Sequence, residues 1–257
     1  MVKVSTSARS PLSPTRWPED SFRWWASLGT ALLVGIAMIV PAVVVLVAFT
    51  VLWPGAARMD PLHPALTWPL IVVQLVSNAS AVALLLVVLP MVARESLANL
   101  GLRAPRARDL LWGLGGAVAM ILVADAVGLL QETFVHVKPD EVQVSYLRNA
   151  RGSELAGFVF MACVAAPFTE ELIFRGFVFN ALRRYLPAAA AVLLSAIVFG
   201  LVHWQTGNAG AIAPLVAGGV VLAVVYYRSG SLVASMITHA LFNAFTVTAV
   251  LVFHQTG

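Results

Sequence analysis

Apolar stretches separated by short polar loops follow one another along most of this chain. A transmembrane helix needs about 20 mainly apolar residues, and most of the stretches reach or approach that length. Seven of them are predicted to cross a membrane, at approximately residues 26–53, 68–93, 110–131, 154–185, 187–203, 210–227 and 232–253. The pattern therefore predicts an all-α fold, a polytopic transmembrane helix bundle with seven to eight membrane helices.

Length and proline content make some of these stretches unusual. The first is too long for a signal-peptide core of about 7–15 residues, so we expect a retained span that is kinked at Pro41. The fourth is longer than one crossing needs. It is expected to be tilted, to extend beyond the bilayer, or to break near Pro167 and so raise the number of helices to eight. The fifth and sixth are short and are expected to pack within the bundle.

The distribution of positive charge chooses between topologies. Residues 1–23 are rich in serine, proline and arginine, which is typical of a disordered cytoplasmic tail. If this tail is cytoplasmic and the fourth stretch crosses once, eleven of the 16 Lys and Arg residues face the cytoplasm. If the fourth stretch forms a hairpin instead, the bias nearly disappears. The positive-inside rule therefore predicts a single crossing and a cytoplasmic N-terminus.

Composition supports the membrane location and narrows the partners. Hydrophobic residues make up 60% of the chain and charged residues 11%, whereas a soluble domain has about 25% charged residues. We therefore expect an integral, multi-pass protein of a bacterial cell membrane, surrounded by the lipid bilayer. The net charge of +4 is spread over the loops, so no nucleic acid partner is expected. Cys163, the only cysteine, cannot form a disulfide within the chain and is interpreted as a buried packing residue.

Three groups of polar side chains interrupt the apolar stretches of the C-terminal half. In chain order they are Glu170, Glu171 and Arg175; then His203; then His239 and Asn243. Placing ionisable groups at membrane depth costs several kcal/mol, so such residues indicate a functional site. At about 1.5 Å per helical residue, one carboxylate, both histidines and the amide lie about 12–24 Å from the cytoplasmic ends of their helices. We therefore expect them to line one cavity.

The spacing within each group indicates what its members do. Glu171 and Arg175 are four residues apart on one helix face, so we expect an ion pair that neutralises Arg175. Glu170 points about 100° away from that face and is left to act as a general base. His239 and Asn243 also share a face and can both donate hydrogen bonds toward one point, as an oxyanion hole requires. The alternative for each group is structural, because polar side chains also tie membrane helices together.

Taken in order, the motifs Glu-Glu-x-x-x-Arg, Phe-x-x-x-His and His-x-x-x-Asn resemble those of the CAAX prenyl endopeptidase and bacteriocin-processing family, also called the type II CAAX protease or Abi family. They cover about 75 residues. The resemblance implies a catalytic domain at residues 151–257, preceded by N-terminal transmembrane helices at residues 24–150. It also implies an intramembrane endopeptidase that hydrolyses membrane-associated peptides or proteins. By this analogy Glu170 and His203 activate water and His239 and Asn243 stabilise the oxyanion. The neighbouring Glu171 is counted in the catalytic set.

A catalytic metal is the alternative mechanism. Glu170, His203 and His239 are of the types that bind zinc with one position left open. The zinc-protease signature His-Glu-x-x-His is absent, and an amide such as that of Asn243 is a poor ligand for zinc. The sequence therefore favours hydrolysis without a cofactor. Asp125, another acid inside an apolar stretch, is expected to pair with Arg175, to face the cavity or, preferably, to support helix packing.

Two further classes of function are compatible with a membrane bundle of this kind. One is a protein of the same architecture without proteolysis, such as an immunity factor or scaffold, and the complete set of motifs argues against it. The other is a transporter or proton relay, since buried Glu and His also suit that role. A transporter tends to show inverted repeats with broken helices in both halves. Here the three groups of polar side chains that form the motifs lie in the C-terminal half, and we find no internal repeat.

Overall fold

The computed structural model describes residues 21–55, 67–137, 147, 150–204 and 209–253. Within them the chain forms seven apolar helices, α1 Trp24–Leu52, α2 Thr67–Ala93, α3 Ala107–Val135, α4 Gly152–Tyr185, α5 Ala188–Val202, α6 Ile212–Ser229 and α7 Leu232–Phe253. Six of them are long and apolar enough to cross a membrane, and α5, with 15 residues, is shorter. The predicted all-α polytopic bundle is confirmed.

The overlong fourth stretch is one continuous helix, α4. Two segments of it, Met161–Ala165 and Leu172–Phe179, have π-helical geometry, and the α-helical turn between them contains Pro167. A proline removes one backbone hydrogen bond and crowds the preceding turn. The wider π-helical segment before Pro167 relieves that crowding, and the N–H of Ala166 donates five residues back to the carbonyl of Met161. The break that would have produced an eighth helix does not occur.

Helix α1 lies at the edge of the bundle. It packs mainly against α2 and leaves large apolar side chains such as Leu32, Ile39 and Val44 exposed. An apolar helix with few buried positions is stable in contact with lipid. The helix continues through Pro41, the site of the predicted kink.

One end of the bundle is tied together by its loops. The backbone N–H of Leu232 donates to the carbonyl of Gly101 at 3.1 Å, and the hydroxyl of Tyr226 donates to the carbonyl of Leu100 at 2.9 Å. Gly101 has a φ of +96°, and a Cβ there would lie 2.8 Å from the carbonyl oxygen of Gly230. Only glycine therefore allows this contact between the α2–α3 loop and the α6–α7 turn.

The same end also holds the start of α1 and the end of α4. The hydroxyl of Tyr185 donates to the carbonyl of Phe22, whose own N–H donates to the carbonyl of Val92. The ends of α2, α4 and α6 therefore lie on one side, together with the starts of α1, α3, α5 and α7. This arrangement agrees with the predicted single crossing of α4 rather than with a hairpin.

The predicted N-terminal tail ends earlier than expected. Residues 1–20 of the tail lie outside the described residues, but Ser21 and Phe22 are fully buried. Phe22 belongs to the main hydrophobic core, together with Leu85 of α2 and Leu172 of α4. Packed structure therefore begins before residue 23, because the apolar ring of Phe22 fills a site between helix ends.

Two single-residue expectations have different outcomes. Cys163 is partly buried and packs against the smaller hydrophobic cluster around Phe158, which is close to the expected packing role. Asp125 was expected to support helix packing, to pair with Arg175 or to face the cavity. Its side chain is instead exposed on α3, because the buried face at that level is formed by Ala124 and Gly128. The packing role expected for Asp125 is therefore wrong.

Candidate active site

Helices α4, α5 and α7 bring one carboxylate and two imidazoles together. The Oε2 atom of Glu170 lies 3.6 Å from Nε2 of His203 and 3.8 Å from Nε2 of His239. These three side chains come from positions separated by up to 69 residues of sequence. Helix α7 runs antiparallel to α4 in the bundle, which places His239 at the level of the two glutamates.

His203 has a defined orientation at the end of α5. Its Nδ1 atom lies 2.7 Å from the carbonyl oxygen of Phe199, one helical turn earlier. A carbonyl oxygen only accepts hydrogen bonds, so Nδ1 of His203 carries the proton. In the neutral imidazole the lone pair is then on Nε2, the atom that faces Glu170. Nε2 of His203 can therefore accept a hydrogen bond from a donor that lies beside the Glu170 carboxylate.

Glu171 lies at the centre of a fully buried network. Its Oε1 atom is 3.0 Å from Nη1 of Arg175 and 3.1 Å from Nδ1 of His239, and its Oε2 atom accepts a hydrogen bond from the Ser235 hydroxyl at 2.5 Å. The predicted ion pair between Glu171 and Arg175 is confirmed. The carboxylate of Glu171 also fixes the imidazole of His239 so that Nε2 faces Glu170.

Arg175 is buried completely and is held from several sides. Its Nη2 atom donates to the carbonyl of Gly219 at 3.0 Å, and its guanidinium lies 4.7 Å from the centre of the Phe199 ring. A guanidinium over an aromatic face gains a favourable cation–π interaction. The Phe199 ring also lies 4.7 Å from the His203 ring and 5.9 Å from the His239 ring, centre to centre. The Phe199 ring therefore packs beside the guanidinium and beside both imidazoles.

Sequence reasoning missed Ser235. This residue lies four positions before His239 and eight before Asn243, so the three side chains share one face of α7. The hydroxyl of Ser235 also contacts the carbonyl of Leu222 at 3.1 Å, which links α7 to α6. The four-residue spacing of Ser235, His239 and Asn243 is the signal in the sequence that could have identified Ser235. Serine is common in apolar membrane helices, so this spacing alone does not distinguish Ser235 from other serines.

Asn243 has a structural partner in this arrangement. Its Nδ2 atom donates to the carbonyl oxygen of Ala162 at 2.7 Å, within the first π-helical segment of α4. In π-helical geometry that carbonyl would accept from the residue five positions later, which is Pro167 and has no N–H. Asn243 therefore satisfies the carbonyl that the proline leaves unpaired, and one N–H of its amide remains for another acceptor.

Exposure divides the site into an accessible side and a buried side. The side chains of Glu170 and His203 are 23% and 26% exposed, whereas those of Glu171 and Arg175 are fully buried. The Oε2 atom of Glu170 is itself buried and has no hydrogen-bond donor among the described residues. Glu170 and His203 are thus the groups that a substrate and water can reach, with Glu171 and Arg175 behind them.

The fit of the site to a metal can be judged from its donor atoms. Glu170, His203 and His239 were the alternative zinc ligands, and in the structure one oxygen and two nitrogens of these side chains face one another. Within the described part of the chain, however, no group of three His, Cys, Asp or Glu side chains is placed to hold a metal ion. As placed, these three side chains do not form a ready metal centre.

Sequence comparisons relate the chain to known membrane proteases. Residues 152–245, which include every member of the site, match the model of the family described as Rce1-like, type II CAAX prenyl endopeptidase Rce1-like. The chain is 24% identical over 236 residues to the membrane-embedded CAAX protease MroQ of Staphylococcus aureus (strain USA300), covering 88% of this chain and 89% of that protein. It is 23% identical over 173 residues to the putative membrane peptidase YdiL of Bacillus subtilis (strain 168), covering 67% and 68%.

No solved structure matches the chain at a comparable level of significance. The family match begins at the first residue of α4 and ends within α7, so it covers the helices that carry the carboxylates and histidines. Sequence match, membrane-spanning bundle and site geometry lead to the same assignment. Residues 152–245 match an Rce1-like domain, and the chain is similar to type II CAAX prenyl endopeptidases and to the two bacterial membrane peptidases.

Proposed function

We propose that this protein is an intramembrane endopeptidase in which Glu170 and His203 activate a water molecule against a peptide bond. The observation that carries the proposal is the position of the Glu170 carboxylate between the Nε2 atoms of His203 and His239. At 3.6 and 3.8 Å these pairs are too far apart for good direct hydrogen bonds, but a water beside them can reach both partners. The membrane location and the peptidase names of both relatives support the same reaction class.

The proposed reaction begins with a water that donates one hydrogen bond to Glu170 and one to Nε2 of His203. Glu170 takes a proton as the water oxygen attacks the substrate carbonyl, and a C–O bond forms. Glu170 then returns that proton to the amide nitrogen as the C–N bond breaks. The products are a carboxyl group and an amine, so Glu170 is unchanged after each cycle.

The oxyanion of the tetrahedral intermediate needs hydrogen-bond donors. Asn243 is proposed to supply its second N–H, because the first is committed to the carbonyl of Ala162. His239 has Nδ1 directed at Glu171, so it donates from Nε2 only as the imidazolium. Glu171 was counted in the catalytic set, but its three buried contacts favour a positioning role for it, through His239.

Replacement of the proposed base tests the function. Glu170→Gln keeps the shape of the side chain and removes its ability to accept a proton, so proteolysis is expected to fall by about 10²–10⁴-fold. The measurement is a comparison of new peptide termini in membranes that contain wild-type protein or the variant. Glu154→Gln, which makes the same change 16 residues earlier in α4, is the matched control and is expected to keep the wild-type cleavage pattern.

Identical cleavage products from wild type and Glu170→Gln would contradict the role of Glu170. The absence of any product that depends on the wild-type protein would instead favour a scaffold or immunity protein of the same fold. Either conclusion requires that the Glu170→Gln variant elutes and unfolds as the wild type does. We expect this behaviour because Glu170 is not part of the buried ion pair.

We further propose that hydrolysis proceeds without a metal. Purified enzyme is then expected to contain much less than one zinc per chain and to retain its activity after dialysis against EDTA. His203→Ala and His239→Ala would remain inactive when zinc is added. One tightly bound zinc per chain, with activity that returns when metal is added to chelated wild type, would establish the zinc mechanism instead.

A further inference from the structure

A groove lies between α3 and α6, separate from the candidate active site. Its volume is about 460 Å³, within the range of about 300–1,000 Å³ that is typical of small-molecule sites. Only apolar side chains and glycines from the described residues line it, among them Leu111, Trp112, Gly115, Ala119, Val221 and Val224. In a membrane bundle such a groove is suited to a hydrocarbon chain.

Two exposed arginines lie at one end of this groove. Arg108 precedes Leu111 and Trp112 by three and four residues, so it shares their face of α3. Arg228 follows Val224 by four residues and so shares its face of α6. Within the described part of the chain, neither guanidinium has a hydrogen bond or ion pair. The acid next to Arg108, Asp109, is buried and already paired with Arg103 at 2.7 Å.

The register of the two helices places both arginines toward the same end. A Cβ at Gly116 would lie 2.8 Å from Cγ2 of Val225, so these residues mark one level in the groove. From that level Arg108 lies about 12 Å toward the start of α3, and Arg228 about 5 Å toward the end of α6. Both helix ends are on the side tied together by the loops. Two unpaired positive charges therefore lie where the groove approaches the membrane surface.

We propose that this groove binds an anionic phospholipid, with one acyl chain between α3 and α6 and the phosphate on Arg108 and Arg228. Guanidinium groups bind phosphate through paired N–H donors, and each arginine near an anionic lipid surface adds to the attraction. Trp112 lines the same end of the groove, and tryptophan is enriched at the level of lipid head groups. The positive charge of the two arginines and the apolar shape of the groove thus both suit an anionic phospholipid.

The lipid would also support the helices behind the active site. A Cβ at Gly116 would lie 2.4 Å from Oγ1 of Thr238, the residue before His239 on α7. Helix α3 therefore contacts α7 directly behind the site, and a ligand that binds only the folded bundle stabilises it. Lipid binding is independent of whether the protein cleaves peptides, so its test does not use activity.

The test is native mass spectrometry of the full chain in detergent, with phosphatidylglycerol or phosphatidylcholine of identical acyl chains. Wild type is expected to bind phosphatidylglycerol at least tenfold more tightly. Arg108→Gln/Arg228→Gln is expected to lose that preference. Gly115→Leu is expected to weaken binding of both lipids, because a Cβ there meets nothing within 4 Å and the added side chain fills the groove without displacing a helix.

Matched controls remove the same charge or add the same bulk elsewhere. Lys3→Gln/Arg9→Gln removes two positive charges outside the described residues, and Gly35→Leu adds a leucine to an equally open position on α1. Both are expected to bind as wild type does. Equal affinity of wild type for the two lipids, or unchanged phosphatidylglycerol binding in either groove variant, would overturn the proposal. A loss in Gly115→Leu alone, with the arginine variant unaffected, would indicate an acyl-chain site without head-group recognition and would also overturn it.

Discussion

At the scale of single residues, the two adjacent glutamates have opposite surroundings. Glu171 is fully buried and accepts hydrogen bonds from Arg175, Ser235 and His239. Glu170, one residue earlier, has its Oε2 atom near two imidazoles and without a hydrogen-bond donor among the described residues. A carboxylate with three donors is committed to holding its neighbours. The carboxylate whose Oε2 lacks such a donor is the one that can accept a proton during a reaction.

Substitution of Arg175 tests the importance of the buried ion pair. Arg175→Ala leaves Glu171 without its cationic partner in a site that water does not reach, and such a loss costs about 3–5 kcal/mol. We therefore expect a lower yield of folded membrane protein and a markedly lower melting temperature. The measurement is thermal unfolding in detergent, followed by size-exclusion chromatography.

A double substitution distinguishes the ion pair from simple loss of volume. Glu171→Gln/Arg175→Met removes both charges and keeps most of the bulk, so it is expected to be more stable than Arg175→Ala. Arg183→Ala, at the cytoplasm-facing end of α4 in the predicted topology, removes an arginine that bonds only the carbonyl of Leu186 among the described contacts, and is expected to unfold near the wild-type temperature. If Arg175→Ala unfolds at the wild-type temperature, the pair is not important for stability.

At the scale of helices, small residues set how closely the elements of the site approach. A Cβ at Gly219 would lie 3.1 Å from both Cα and Cβ of Ala196 on α5 and 3.2 Å from the Phe199 ring. The carbonyl of Gly219 also accepts the hydrogen bond from Arg175. Close packing of α6 against α5 therefore places both the backbone acceptor and the aromatic ring around the guanidinium. Association of membrane helices depends on such close approach of small residues.

Gly219→Ala tests the close contact between α5 and α6. The added methyl group meets backbone atoms of Ala196, which cannot rotate away, so α6 must move outward. Overpacking of this kind typically costs about 1–3 kcal/mol, and we expect a lower melting temperature together with reduced activity. The matched control is Gly35→Ala in α1, where a Cβ meets nothing within 4 Å. Equal stability of the two variants would show that the α5–α6 contact tolerates the methyl group.

At the scale of the whole molecule, the bundle has one side where the loops are tied together. The α2–α3 loop, the α6–α7 turn and the ends of α2 and α4 meet there through backbone hydrogen bonds. Among the described residues, all arginines in loops or at helix ends except Arg151 lie on this side, and the positive-inside rule assigns such a side to the cytoplasm. Because α1 begins on this side, we propose a cytoplasmic N-terminus.

Cysteine accessibility tests this orientation. On a Cys163→Ala background, Gly55→Cys follows α1 and Ala104→Cys lies in the α2–α3 loop, and both positions are exposed. A membrane-impermeant maleimide is expected to label Gly55→Cys in intact cells and Ala104→Cys only after the membrane is opened. The reverse pattern would invert the orientation, and labelling of both from outside would contradict the crossing by α2.

Much of this arrangement was predictable from the chain. The predicted spans agree with the helices to within about four residues at their ends, because a run of apolar residues bounded by charges has few alternatives in a bilayer. The Glu171–Arg175 pair was predictable because both residues lie on one helix, where a four-residue spacing determines distance. The tail boundary and the role of Asp125 were not, since both depend on which neighbouring surface covers a side chain.

Sequence by itself determined the class of protein, its helices, the Glu171–Arg175 pair within α4 and the family that residues 152–245 resemble. These features follow from local composition, from the 3.6-residue repeat and from motifs that read in order along the chain. Only the tertiary structure decided that Ser235 donates a hydrogen bond to Glu171 and that Glu170 faces both histidines. It also decided that Asn243 binds the carbonyl of Ala162, which Pro167 leaves unpaired. Those contacts join different helices, and their geometry depends on helix rotation, register and the close approach that glycines allow. No single stretch of sequence contains that information, because it arises only when the helices pack.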